Sequence, residues 1–122
     1  WMHQKKFDYT NTFCHLMNEK IKEDKNYEDE DFQNWKKRWN ERLKTNNNTP
    51  EKYLKLMKSV NPLIIPRNHK VEEALETAEK GDFNSVNQLI EILKEPYSQQ
   101  KNILDYQIPS DFNENYQTFC GT

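Results

Sequence analysis

The side chains able to do chemistry are few, and their spacing limits what they can do. Cys14 and His15 are neighbours. Adjacent residues on a helix point about 100° apart, so these two do not face one another. His3 and His69 would have to converge on them to build a metal site, and no C-x-x-C or H-E-x-x-H spacing supports one. A Cys-His nucleophile fails on the same ground, because its base must lie within hydrogen-bond reach. The plain reading is a core cysteine beside a surface histidine. Pro66-Arg67-Asn68-His69 is a denser polar cluster, held by a proline just ahead of a helix start. Arg67 there suits a phosphate or carboxylate at the helix end. The simpler reading is that Asn68 caps the helix while Arg67 pairs with an acid such as Glu72. Glu72, Glu73, Glu76 and Glu79 form an exposed helical face, with nothing to mark a catalytic pair. Cys120, third from the end, is either an accessible thiol open to exchange or an incidental one.

Other chemistries are excluded by composition. The chain has 2 glycines, Gly81 and Gly121. A P-loop, a dinucleotide fingerprint or a nucleophile elbow each needs several glycines close together. Trp35-Lys36-Lys37-Arg38-Trp39 mixes aromatics with bases, as a nucleic-acid surface would. However, both tryptophans lie on the apolar stripe of a helix, and Glu28-Asp29-Glu30-Asp31 just upstream repels phosphate. With 18 basic and 20 acidic residues the net charge is −2, so neither nucleic acid nor an anionic membrane is expected as a partner. The longest wholly apolar run, Leu63-Ile64-Ile65, is far short of a membrane span, and the first residues do not read as a signal peptide. Two cysteines are too few for a disulfide scaffold, which favours a reducing, cytoplasmic setting.

The elements that must carry these residues are helical. Only 34% of the 122 residues are hydrophobic, yet 12% are aromatic, so a thin core with aromatic anchors is expected. Asp8 suits an N-cap, and Phe13, Leu16, Met17 and Ile21 predict a helix over about 9–23. Phe32, Trp35, Trp39 and Leu43 recur on one face of a second, about 30–44. Thr49-Pro50-Glu51 starts a third, about 50–60, with Tyr53, Leu54, Met57 and Val60 inward. Pro62 and Pro66 hold the next residues extended. A fourth helix, about 69–80, carries Val71, Ala74, Leu75 and Ala78 as its inner stripe. Gly81 then stands at its C′ position, where φ > 0 is needed. Asp82 caps a fifth, about 83–94, striped by Phe83, Val86, Leu89, Ile90 and Leu93. These two form an αα-hairpin. Residues 97–122 read as an extended tail that wraps over helices or over a missing domain. The chain starts at Trp1 rather than Met and reads as a piece of a longer protein.

Three stretches, Asn61-Pro62-Leu63-Ile64-Ile65-Pro66-Arg67-Asn68-His69-Lys70-Val71-Glu72-Glu73-Ala74, Ala78-Glu79-Lys80-Gly81-Asp82-Phe83 and Pro96-Tyr97, together with Cys120, resemble the C-terminal region of the selenoprotein O family, also called YdiU or UPF0061. Asp8-Tyr9-Thr10-Asn11-Thr12-Phe13 resembles a segment upstream of that region. The resemblance implies a kinase-like protein that transfers AMP from ATP to Ser, Thr or Tyr hydroxyls of proteins, using Mg or Mn. Its nucleotide- and metal-binding residues lie N-terminal to the region seen here, so no catalytic, cofactor or metal residue is carried over. Eukaryotic members hold a selenocysteine where Cys120 stands. Some members also carry a Cys three positions earlier, where this chain has Gln117.

The expectation is therefore an all-α region: helices over 1–45 and 49–96, then a tail over 97–122. Its partner would be the N-terminal kinase-like domain of the same polypeptide, and the whole would act on protein substrates in a bacterial cytoplasm. Cys120 is the redox candidate, and Arg67, Asn68 and His69 are the polar contact or capping cluster. The rival from another class is a free-standing helical module that binds a protein partner through exposed aromatics.

Overall fold

The computed structural model describes residues 1–17, 27–45 and 49–109. Among the described residues every regular element is helical, and no helix is long and apolar enough to cross a membrane. The chain divides into two compact units, Trp1–Leu63 and Ile64–Thr122.

The first unit contains α1 (Met2–Lys5), α2 (Tyr9–Leu16), α3 (Glu30–Thr45) and α4 (Pro50–Val60). The α1 turn has no counterpart in the periodicity, since four residues are too short to show one. Asp8 caps α2 as expected, its Oδ1 accepting from Asn11 N at 2.8 Å. This helix ends at Leu16, with Met17 as its C-cap, short of the expected limit near 23. The remainder of that expectation, Ile21 included, lies outside the described residues. Pro50 opens α4 at its first position as read, although the Thr49 side chain makes no cap bond.

The core of this unit is aromatic. Trp1 packs on Phe7 (ring centroids 4.4 Å) and Phe32 (4.9 Å), and Phe7 stacks on Tyr27 at 5.5 Å. Cys14, Leu16, Met17 and Leu63 are buried beside Tyr27 and Phe32 in the same unit. Aromatic pairs at these spacings add about 0.5–1.5 kcal/mol beyond their buried area. The α3 stripe is less buried than its period suggests. Phe32 is buried, but Trp35 is 41% exposed. Phe32, Trp35, Trp39 and Tyr53 instead form a ladder of rings with centroids 5.8, 5.9 and 5.8 Å apart, which ties α3 to α4. Val60, expected inward on α4, is exposed, as is Leu56.

The second unit contains α5 (Asn68–Glu79), α6 (Asn84–Leu93) and α7 (Ile103–Gln107). The α5–α6 hairpin stands as expected, and its turn follows from two residues. Gly81 takes φ +88, which L side chains rarely adopt. Its N–H reaches Ala78 O at 2.9 Å and the Asp82 N–H reaches Thr77 O at 3.0 Å, the paired bonds of a Schellman ending. Asp82 accepts from Asn84 N at 3.0 Å, but Phe83 rather than Asp82, the expected cap, holds the cap position of α6.

Three expectations need correction here. Asn68 is the first residue of α5 rather than its cap; Arg67 holds the cap position, with extended backbone and no side-chain cap bond. Leu75, Phe83 and Ile90 are not core residues: they are 55%, 59% and 49% exposed, while Ile92, absent from the expected stripe, is buried. A stripe four to five residues wide is more than one neighbouring helix can cover. Finally, residues 97–109 are not simply extended, because α7 forms there with Ile103 and Gln107 buried. Asn102 enters α7 at φ 65, a conformation that Asn tolerates better than most residues.

Candidate functional site

Three polar side chains, Gln100, Arg67 and Lys70, hold α7 and the segment before it against the hairpin. The Gln100 amide Nε2 donates to Ile92 O and to Glu95 O, each at 2.8 Å. Ile92 is in the last turn of α6 and Glu95 lies just beyond it, where carbonyls lack helical partners, so one side chain satisfies what the backbone leaves open. Arg67 Nη2 donates to Gln107 O at 3.2 Å, joining the start of α5 to the end of α7. Lys70 Nζ pairs with Glu73 at 2.9 Å and lies 5.9 Å from the centre of the Tyr106 ring. Just beyond the same end of α6, Ile64 N donates to Pro96 O at 3.4 Å, which fixes the extended segment that Pro62 and Pro66 shape. Ile64 is only 2% exposed, so this segment carries core as well as connection.

The expected polar cluster is thus divided by role. Arg67 is half-buried and ties α7 down; Asn68 is exposed on the first turn of α5; His69 is half-buried beside it. Cys120 lies outside the described residues. Cys14 is fully buried, its Sγ 3.8 Å from Pro62 O and 3.9 Å from Leu63 O. His15 points elsewhere: its ring stacks on Tyr27 at 4.2 Å, and its Nε2 lies 3.4 Å from Lys36 Nζ. The Cys14 thiol and the His15 ring thus contact different neighbours.

One charged centre escaped the sequence reading. Asp29 precedes α3, and its Oδ1 accepts from Phe32 N at 3.2 Å, an N-cap. The same carboxylate accepts from Trp1 Nε1 at 2.8 Å and pairs with Lys5 Nζ at 2.9 Å. The Lys5 hydrogen bond, followed by that of Trp1, holds the Asp29 carboxyl down at about 2, and Asp29 in turn raises the Lys5 ammonium. The signal was available in part, since Asp is a favoured cap and acids follow it at Glu30 and Asp31.

The described residues do not fit a nucleotide with its divalent metal. No group of three or more His, Cys, Asp or Glu among them could hold a metal ion. The single described glycine ends a helix rather than cradling a phosphate. Within the second unit, the Gln100 and Arg67 bonds hold the hairpin and the short α7 helix together.

The family model for protein adenylyltransferase SelO matches residues 1–94, from Trp1 to the end of α6. The chain belongs to the SelO family. Among its curated relatives, the protein nucleotidyltransferase YdiU of Pelagibacter ubique is 50% identical over all of this chain. YdiU of Nitrosococcus oceani is 41% identical, also over all of it, and YdiU of Clostridium perfringens is 45% identical over 94%. The chain spans only about a quarter of the length of these relatives: 26%, 25% and 24%. The SelO match contains the whole α5–α6 hairpin and stops where the α7 segment begins.

Proposed function

We propose that this chain is the C-terminal helical part of a protein adenylyltransferase, an enzyme that moves AMP from ATP to Ser, Thr or Tyr hydroxyls of proteins. Its own role is structural and regulatory. The observation that carries this is the 50% identity with a YdiU nucleotidyltransferase across the entire chain, while only 26% of that relative is spanned. In this reading a kinase-like domain of the same polypeptide holds ATP and Mg or Mn, and protein substrates meet that domain. The helical part supplies rigid packing, for which its hairpin and the Arg67 tie are suited.

Calorimetry of the 122-residue chain with ATP and Mg²⁺ is expected to show no binding near micromolar; a clear micromolar isotherm overturns the proposal. The reading frame that contains the chain should encode a kinase-like domain upstream. A free-standing interaction module is the second reading, favoured by the exposure of Leu56, Val60 and Tyr97, and a frame without that domain would select it. Cys120 is the proposed redox position, pairing with a cysteine of the catalytic domain. Full-length enzyme carrying Cys120→Ser should lose its response to dithiothreitol. An identical response in wild type would make Cys120 an incidental thiol.

A further inference from the structure

Among the described residues, one flank of the α5–α6 hairpin is covered and the other is bare. Lys70 and Glu73 of α5, Ser85 and Gln88 of α6, and Tyr106 line one small cavity of about 70 Å³, with Ala74 and Leu89 at its floor. Glu73 and Gln88 therefore lie on the flank that α7 occupies. Successive helical residues are separated by about 100°. Leu75 thus falls on the opposite side of Ala74 from Glu73, and Ile90 on the opposite side of Leu89 from Gln88. Both point to the flank away from α7. Helical spacing adds Val71 and Ala78 to Leu75, and Phe83, Val86 and Leu93 to Ile90. Leu75, Phe83 and Ile90 are about half exposed, at 55%, 59% and 49%. Beyond them on α5 runs an exposed acidic row, Glu72, Glu76 and Glu79. A continuous apolar face of this kind on a soluble unit marks an interface.

We propose that this face is an intramolecular interface, covered by a part of the same polypeptide outside residues 1–122. The covering surface is apolar at its centre and carries Lys or Arg opposite Glu76 and Glu79. The inference rests on the reading of the chain as one part of a longer enzyme, and the length of its relatives favours this occupant over a second copy or a separate protein. About three quarters of the Pelagibacter relative's length lies outside the matched region, whose share is 26%. A surface on the same polypeptide is present at an effective concentration of order millimolar, which a separate protein rarely reaches.

The test places single cysteines at Leu75→Cys and Ile90→Cys in a Cys120→Ser background, where Cys14 is fully buried. Maleimide labelling is timed in the 122-residue chain and in the full polypeptide, each against its own urea-unfolded rate. In the 122-residue chain both positions are expected to label within about tenfold of the unfolded rate. In the full polypeptide they should label at least about a hundredfold more slowly. Fast labelling in both proteins overturns the interface. Slow labelling in the dilute 122-residue chain also overturns it, because the chain then covers its own face. Protection that develops in that chain only as its concentration rises assigns the face to a second copy and overturns the proposal too. A reading frame with nothing beyond this chain would instead remove the parent reading, a result visible before any labelling.

Discussion

Leu75 and Leu89 are both leucines of the expected hairpin stripe, yet the structure separates them, so truncating each to Ala is a direct test of the packing. Leu→Ala removes three carbon groups, worth about 0.8 kcal/mol each when fully buried, or about 2.4 kcal/mol in transfer alone. Leu89 is 9% exposed. Its loss also opens a cavity between α5 and α6, where each residual Å³ costs about 24 cal/mol, so Leu89→Ala should cost about 3–4 kcal/mol. Leu75 is 55% exposed, so less than half of its transfer term is at stake and no closed cavity forms. Leu75→Ala should cost about 1 kcal/mol. For a unit of this size each kcal/mol moves Tm by about 4 °C or more. Thermal melts of the 122-residue chain followed by circular dichroism should then fall by about 12 °C or more for Leu89→Ala and by about 4 °C for Leu75→Ala. Equal falls, or a larger one for Leu75→Ala, would refute the placement of these helices. In the full polypeptide the gap should narrow, because the proposed interface buries Leu75.

Asp29 sets an acid limit on the first unit. Its folded value of about 2 lies below the ordinary 3.8, so between these values the unfolded chain binds more protons. The contribution of Asp29 is present above about pH 4 and is lost as pH falls toward 2; tryptophan fluorescence should follow this loss, and Asp29→Asn should abolish that part of the transition. Arg67→Ala removes the donor to Gln107 O, a half-exposed charged hydrogen bond worth about 1 kcal/mol, and amide exchange over residues 103–107 should rise about fivefold. Unchanged exchange there would mean that Ile103 and Gln100 alone hold α7.

The hairpin could be read from sequence because its determinants are local. Gly81 must be glycine at φ +88, Asp82 serves the next helix within two residues, and both apolar stripes repeat within one element. The depth of those stripes could not be read, since periodicity tells which face is apolar and not how many neighbours stand against it. Leu89 and Ile90 are adjacent apolar residues of one helix, yet one is buried and the other half exposed, a difference set by where α5 and Tyr106 lie. Tertiary polar ties are harder still. Trp1 and Asp29 stand 28 positions apart and Arg67 and Gln107 stand 40 apart, and no period or motif connects such pairs. Arg67 shows the consequence for function. A guanidinium at a helix start reads equally as an anion site, an ion-pair partner or a structural donor, since each uses the same N–H groups. The Gln107 carbonyl at 3.2 Å takes up one of those groups, and so draws the motif from ligand binding toward holding the chain together.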